Sequence, residues 1–87
     1  METKIKYIEH LVNHLLAQKS SREMEKALSD LLTTSELDEV AKRLQIFEML
    51  AKGVPQRQIA DLLGVGIATV SRGSNVLKKT LQQRDTP

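Results

Sequence analysis

The chain has 87 residues, no cysteine, two aromatic residues (Tyr7 and Phe47) and a net charge of +2. That length suits one domain whose thin core buries only about 60% of the unfolded chain's surface. The absent thiols exclude a disulfide staple and a thiolate zinc site. Association with another chain is the remedy left for so small a core. No apolar run approaches the ~18 residues of a membrane span, and no signal-peptide pattern opens the chain. The expected location is therefore the cytoplasm. Charge is unevenly spread. Residues 1–51 carry seven Lys/Arg and nine Asp/Glu, whereas residues 52–87 carry six Lys/Arg and only Asp61 and Asp85. A basic second half on a near-neutral body points to a polyanionic partner met by one end of the molecule.

In chain order, Ile5, Ile8, Leu11, Val12, Leu15 and Leu16 make one apolar face of a first helix over residues 4–18. Ser20 followed by Glu23 is a capping box that opens a second helix, with Met24, Ala27, Leu28, Leu31 and Leu32 as its apolar set. Thr33 and Glu36 repeat the signal for a third helix that runs to Lys52 and stops at Gly53. Leu37, Val40, Ala41, Leu44, Phe47 and Ala51 make one face of it, widened by Ile46, Met49 and Leu50. A helix apolar most of the way round needs cover on several sides, which a subunit interface supplies. The expectation is a homodimer with residues 1–52 as its shared core. After Val54-Pro55, a fourth helix is predicted over Gln56–Leu63, a turn at Gly64-Val65-Gly66, a fifth helix over Ile67–Leu81, and a frayed end over Gln82–Pro87.

The last two predicted helices and their turn have the sizes a helix-turn-helix requires, placing a DNA-reading head at about residues 54–81 of the single domain 1–87. Ile59, Leu63, Val65 and Val70 supply the apolar contacts, and Ala60 sits where a larger side chain would hold the helices apart. Gly64 leaves the first helix where a positive φ is cheap only for glycine. The second helix carries small or hydrogen-bonding groups suited to a major groove. Ile67, Ala68 and the Thr69 methyl suit a thymine methyl, Ser71 suits several bases, and Arg72 suits guanine or phosphate. Gln56 and Arg57 open the first helix, whose N-terminal dipole favours phosphate. Ser74, Asn75, Lys78 and Lys79 suit the DNA backbone.

At GIATVSRGSNVLKK the residues cease to be generic. Gly66-Ile67-Ala68-Thr69, Arg72-Gly73-Ser74-Asn75 and Leu77-Lys78 resemble the recognition segment of the bacterial Trp repressor family. The likeness runs back through Leu32-Thr33, Glu36, Arg43, Glu48, Gly53 and Gln56-Arg57. The family is itself a standard illustration of helix-turn-helix docking and of water-mediated base contacts. The resemblance implies an all-α, five-helix, intertwined homodimer that represses transcription at a palindromic operator on double-stranded DNA. It implies L-tryptophan as corepressor, its indole between Arg43 and Arg72, with Thr33, Thr69 and Gly73 also in the pocket. It carries DNA contacts to Gln56, Arg57, Gly66, Ile67, Ala68, Thr69, Ser71, Asn75 and Lys78. The chain departs from the family at Val76, which stands where a serine helps to hold the ligand's amino group. The connection Gly53–Gln56 is one residue shorter, the N-terminal arm is short, and the final helix has no counterpart before Pro87.

Other constellations are weak. His10 and His14 stand at i, i+4 without a third nitrogen or sulfur ligand, and read as surface histidines rather than a metal site. There is no Gly-rich phosphate loop, no GxSxG and no cysteine nucleophile, so no enzyme is expected. The competing functions are a ligand-independent helix-turn-helix regulator and a helix-turn-helix module that acts mainly through protein contacts.

Overall fold

The computed structural model describes residues 4–85, and the side chains of residues 6–81. Five helices are present among the described residues: α1 (Lys4–Leu16), α2 (Ser21–Leu31), α3 (Thr34–Ala51), α4 (Gln56–Leu63) and α5 (Ile67–Asp85). The chain divides into two compact units, Met1–Leu37 and Asp38–Pro87, so the division falls inside α3 rather than after it.

In the first unit the helix starts follow local hydrogen-bond chemistry. The Ser20 hydroxyl accepts from the Glu23 N–H at 3.1 Å. The Glu23 carboxylate reaches back to the Lys19 N–H at 2.7 Å, one residue before the position an ideal capping box would use. At the next start the box is reciprocal. The Thr33 hydroxyl accepts from Glu36 N–H at 3.1 Å, and Glu36 Oε1 accepts from Thr33 N–H at 2.8 Å. Each cap contributes about 1 kcal/mol by satisfying orphan donors of the first turn. On α2, Lys26 donates to Asp30 at 2.7 Å. That hydrogen bond, and then the Asp30 charge, hold the Lys26 ammonium above its ordinary pKa, although so exposed a pair adds little stability.

The apolar faces of this unit are only partly covered. Ala27 is buried and Leu15, Met24 and Leu28 are half-buried, whereas Tyr7, Ile8, Leu11, Val12 and Leu16 are exposed. Ile5, predicted on the same α1 face, lies outside the residues whose side chains are described. His10 and His14 are exposed, and the described residues contain no group of three or more His, Cys, Asp or Glu placed to hold a metal ion.

The second unit holds the core. Ile46 of α3, Ile59 and Ala60 of α4 and Val70 of α5 are buried in one cluster, with Met49, Leu50, Val54, Leu63 and Val65 packed against it. The predicted contacts of the helix-turn-helix are therefore the observed ones. The two apolar sets of α3 part company: Ile46, Met49 and Leu50 face this core, while Val40 and Leu44 are 46% and 54% exposed. Apolar spacing identifies both stripes but not the neighbour that each one meets.

Both glycine stops have the left-handed backbone their positions require. Gly53 has φ 84°. Val54 N–H bonds Met49 O at 3.0 Å and Gly53 N–H bonds Leu50 O at 3.0 Å, the paired bonds of a Schellman ending. Gly64 has φ 66°, and Val65 N–H bonds Ala60 O at 3.1 Å. The frayed end expected from Gln82 onward is corrected: α5 continues to Asp85. No glycine or proline interrupts Gln82–Asp85, and chain-straight Gln and Arg propagate a helix at little cost. The last residues of that expectation, 86 and 87, lie outside the described residues. Among the described residues no helix is long and apolar enough to cross a membrane.

Candidate nucleic-acid interface and ligand cleft

The recognition helix α5 sorts its residues by rotation. Val70 is fully buried, Gly73 is buried, and Leu77 is half-buried, at the 3–4 spacing of an inward stripe. On the remaining surface Ile67, Ala68, Thr69, Arg72, Asn75 and Lys78 are exposed, as is Gly66 in the preceding turn. The Gly66 carbonyl starts the helix, accepting from Thr69 N–H at 3.1 Å and Val70 N–H at 3.4 Å. Arg57 in the first turn of α4 is also exposed. Eight of the ten residues expected to contact DNA thus stand open to a partner. The exceptions are Gln56 and Ser71, both half-buried and hydrogen-bonded to each other at 2.8 Å. Nothing in the sequence pattern signalled that bond, because it joins residues fifteen apart on different helices.

α4 begins after Pro55, which supplies no side-chain cap to the first turn. The opening N–H groups of α4 are consequently not capped by a preceding hydroxyl or carboxylate, and the helix dipole adds positive potential there. Basic Arg57 in the same turn has the same sign. The arrangement suits phosphate oxygens beside the face of α5 that presents small and hydrogen-bonding groups.

A second feature lies between α3 and α5. Two stripes with the same i, i+3, i+4, i+7 spacing line one cleft of about 630 Å³: Glu39, Lys42, Arg43 and Ile46 from α3, and Thr69, Arg72, Gly73 and Val76 from α5. Phe47, Val65 and Gly66 complete the lining. Four of the five residues expected around a ligand, Arg43, Thr69, Arg72 and Gly73, are therefore brought together. Thr33 is not among the lining residues; it belongs to the other compact unit, and its hydroxyl caps α3. Residue-type reasoning missed Glu39, Lys42, Ile46, Phe47 and Val65. The signal that would have found them is the shared spacing of the two stripes.

The cleft carries three cationic side chains against one carboxylate. Glu39 approaches Arg43 at 4.0 Å, and Lys42 is held by Asp38 at 3.2 Å. Ile46, Phe47, Val65 and Val76 supply apolar surface. Guanidinium groups and apolar side chains lining the same cleft favour a planar ligand with an anionic group.

One close approach sets the depth of this cleft. A Cβ added to Gly73 would lie 2.8 Å from Ile46 Cγ2 and 3.6 Å from Phe47 Cε1. Ile46 Cγ2 sits on a branched, fully packed side chain and cannot swing aside. Glycine inside a helix costs about 1 kcal/mol relative to alanine, so the short approach is bought at the expense of helix propensity.

A profile of the family described as Trp repressor protein matches residues 6–86. The Trp operon repressor homolog of Vibrio parahaemolyticus is 41% identical over 71 residues, which cover 80% of this chain and 69% of the relative. That of Vibrio campbellii is 38% identical over 78 residues, 88% of this chain and 78% of the relative. That of Vibrio atlanticus is 46% identical over 57 residues, 64% of this chain and 58% of the relative. No solved structure gives a significant match.

Gly73→Ala is expected to lower stability by about 1 kcal/mol, because a clash of about 2 kcal/mol outweighs the gain in helix propensity of about 1 kcal/mol. Urea unfolding measures it; a stabilised variant would show that α3 and α5 do not meet at this point.

Proposed function

The chain belongs to the Trp repressor family, a family of transcription regulators and not of enzymes, and from that premise we propose that it is a sequence-specific DNA-binding repressor. The observation that carries this reading is the exposed face of α5. Ile67, Ala68, Thr69, Arg72 and Asn75 are open on the helix whose opposite stripe, Val70 and Gly73, is buried. In a helix-turn-helix such a face enters the major groove. The proposed DNA contacts are Gln56, Arg57, Gly66, Ile67, Ala68, Thr69, Ser71, Arg72, Asn75 and Lys78. A module working mainly through protein contacts would not need so small and polar a face beside basic Arg57 and Lys78.

The finer reading is gating by L-tryptophan or a similar small planar acid. The cleft between Arg43 and Arg72 supports it, since guanidinium planes stack on an indole and either group can meet a carboxylate. Thr69 and Gly73 belong to the same lining; Thr33 stays in the ligand set on resemblance alone. Val76 on that lining favours a second reading, a regulator gated by a different ligand or by none. An ammonium beside its methyl groups would lack a hydrogen-bond partner there, which costs about 1–3 kcal/mol.

The repressor acts as a homodimer whose shared core is built from the first three helices. Support comes from the large apolar side chains left exposed on α1 and α3, Tyr7, Ile8, Leu11, Leu16, Val40 and Leu44 among them. Soluble chains seldom leave such faces to water. A dimer also doubles the reading heads, matching a palindromic operator. The proposed working location is the cytoplasm.

Light scattering at micromolar concentration should return twice the 9.8 kDa of one chain, and a stable monomer would remove the shared core. Duplex affinity should fall ~10³-fold between about 50 and 200 mM salt, since Arg57, Arg72 and Lys78 make about six phosphate-neutralising cations per dimer; a flat response would count against DNA. Calorimetry of L-tryptophan into the protein should give heat that Arg43→Ala abolishes. No heat at millimolar ligand would leave the second reading.

A further inference from the structure

A side-chain hydrogen bond between α4 and α5 joins two residues of the proposed DNA face. Ser71 Oγ lies 2.8 Å from Gln56 Oε1, and both side chains are half-buried. An amide carbonyl has no proton, so the hydroxyl must be the donor. The single O–H of Ser71 is thereby spent inside the protein. Ser71 stands four residues from exposed Ile67 and four from exposed Asn75, yet is itself half-buried, where its hydroxyl meets Gln56 of α4.

The consequence falls on Gln56. A glutamine that reads adenine uses both ends of its amide on one base edge, the carbonyl accepting and the NH₂ donating. Here the carbonyl end is turned to α5. The NH₂ end, with two protons, is the part left for a partner. Phosphate oxygens are pure acceptors and match it.

We infer that Ser71 is a positioning residue: its hydroxyl holds the Gln56 amide with the NH₂ end toward the DNA backbone, so that Ser71 strengthens binding through Gln56 rather than by reading a base. This rests on the proposed DNA-binding function. It reassigns Ser71, whose type alone suits several bases, and makes the Gln56–Ser71 pair a fixed donor arm independent of sequence. The pair also ties the first turn of α4 to the recognition helix, so a phosphate held by Gln56 sets the register of α5 in the groove.

The test uses the full chain and a pool of random-sequence duplexes, with affinity and the enriched sequences both read out. Ser71→Ala should weaken binding about fivefold, the worth of one net hydrogen bond, without changing which sequences are enriched. Ser71→Thr, which keeps the hydroxyl, should restore it. In a Gln56→Ala background Ser71→Ala should add no further loss, because the residue it positions is gone. Multiplicative losses in the double variant, or an enriched sequence that changes at one base pair in Ser71→Ala, would overturn the proposal while leaving DNA binding in place. Failure of the unaltered chain to bind any duplex would overturn the DNA reading and the proposal together.

Discussion

Ile46 on α3 and Gly73 on α5 approach so closely that no Cβ fits between them, and much of the second unit follows from that approach. Ile46 is 2% exposed and shares its cluster with Ile59, Ala60 and Val70. Full burial of a side chain of this size contributes about 2 kcal/mol, so Ile46, Ile59 and Val70 form a small but dense anchor. Packed this way, α5 leans on α3 through one stripe and on α4 through the next. The remaining arc of its surface is left free. A larger residue at position 73 would lift the helix and open both seams at once.

The same approach creates the cleft. With the two helices this near, Glu39, Lys42 and Arg43 on one and Thr69, Arg72 and Val76 on the other line a single space. Arg72 and Thr69 then belong to two sets: they line the cleft, and they lie on the exposed face of the recognition helix. On the proposed reading, a ligand carboxylate held by Arg72 would occupy a cation otherwise available to phosphate, and an aromatic ring beside Arg43 would brace α5 against α3. Reading and gating would share one helix because its two lateral faces are only about a third of a turn apart.

Much of the fold was legible in the residues. Ser20, Glu23, Thr33 and Glu36 marked two helix starts, and Gly53 and Gly64 marked two stops, each through hydrogen bonds or dihedrals set within five residues. The helix-turn-helix core of Ile59, Ala60, Leu63, Val65 and Val70 was equally plain, since its packing partners are near in sequence. The reading of α3 was not. Its two apolar stripes carry similar residues, and the pattern alone could not say that Ile46, Met49 and Leu50 turn to α4 and α5 while Val40 and Leu44 remain exposed. The end of α5 was not legible either: a frayed end was expected over Gln82–Pro87, whereas α5 runs on to Asp85, since no glycine or proline stops it there.

The amino-acid sequence by itself determined the five helices, their caps, the glycine turns, the basic second half and the resemblance to a family of repressors. These depend on local hydrogen-bond needs, on backbone freedom at glycine and on charge, which a residue carries wherever it is placed. The tertiary structure alone decided which stripe of α3 is buried, that Arg43 and Arg72 line one cleft with Val76, and that Ser71 donates to Gln56. All three depend on contacts between helices separated by a turn or more of chain. Hydrophobic spacing reports that a face must be covered; only the packed arrangement reports by what.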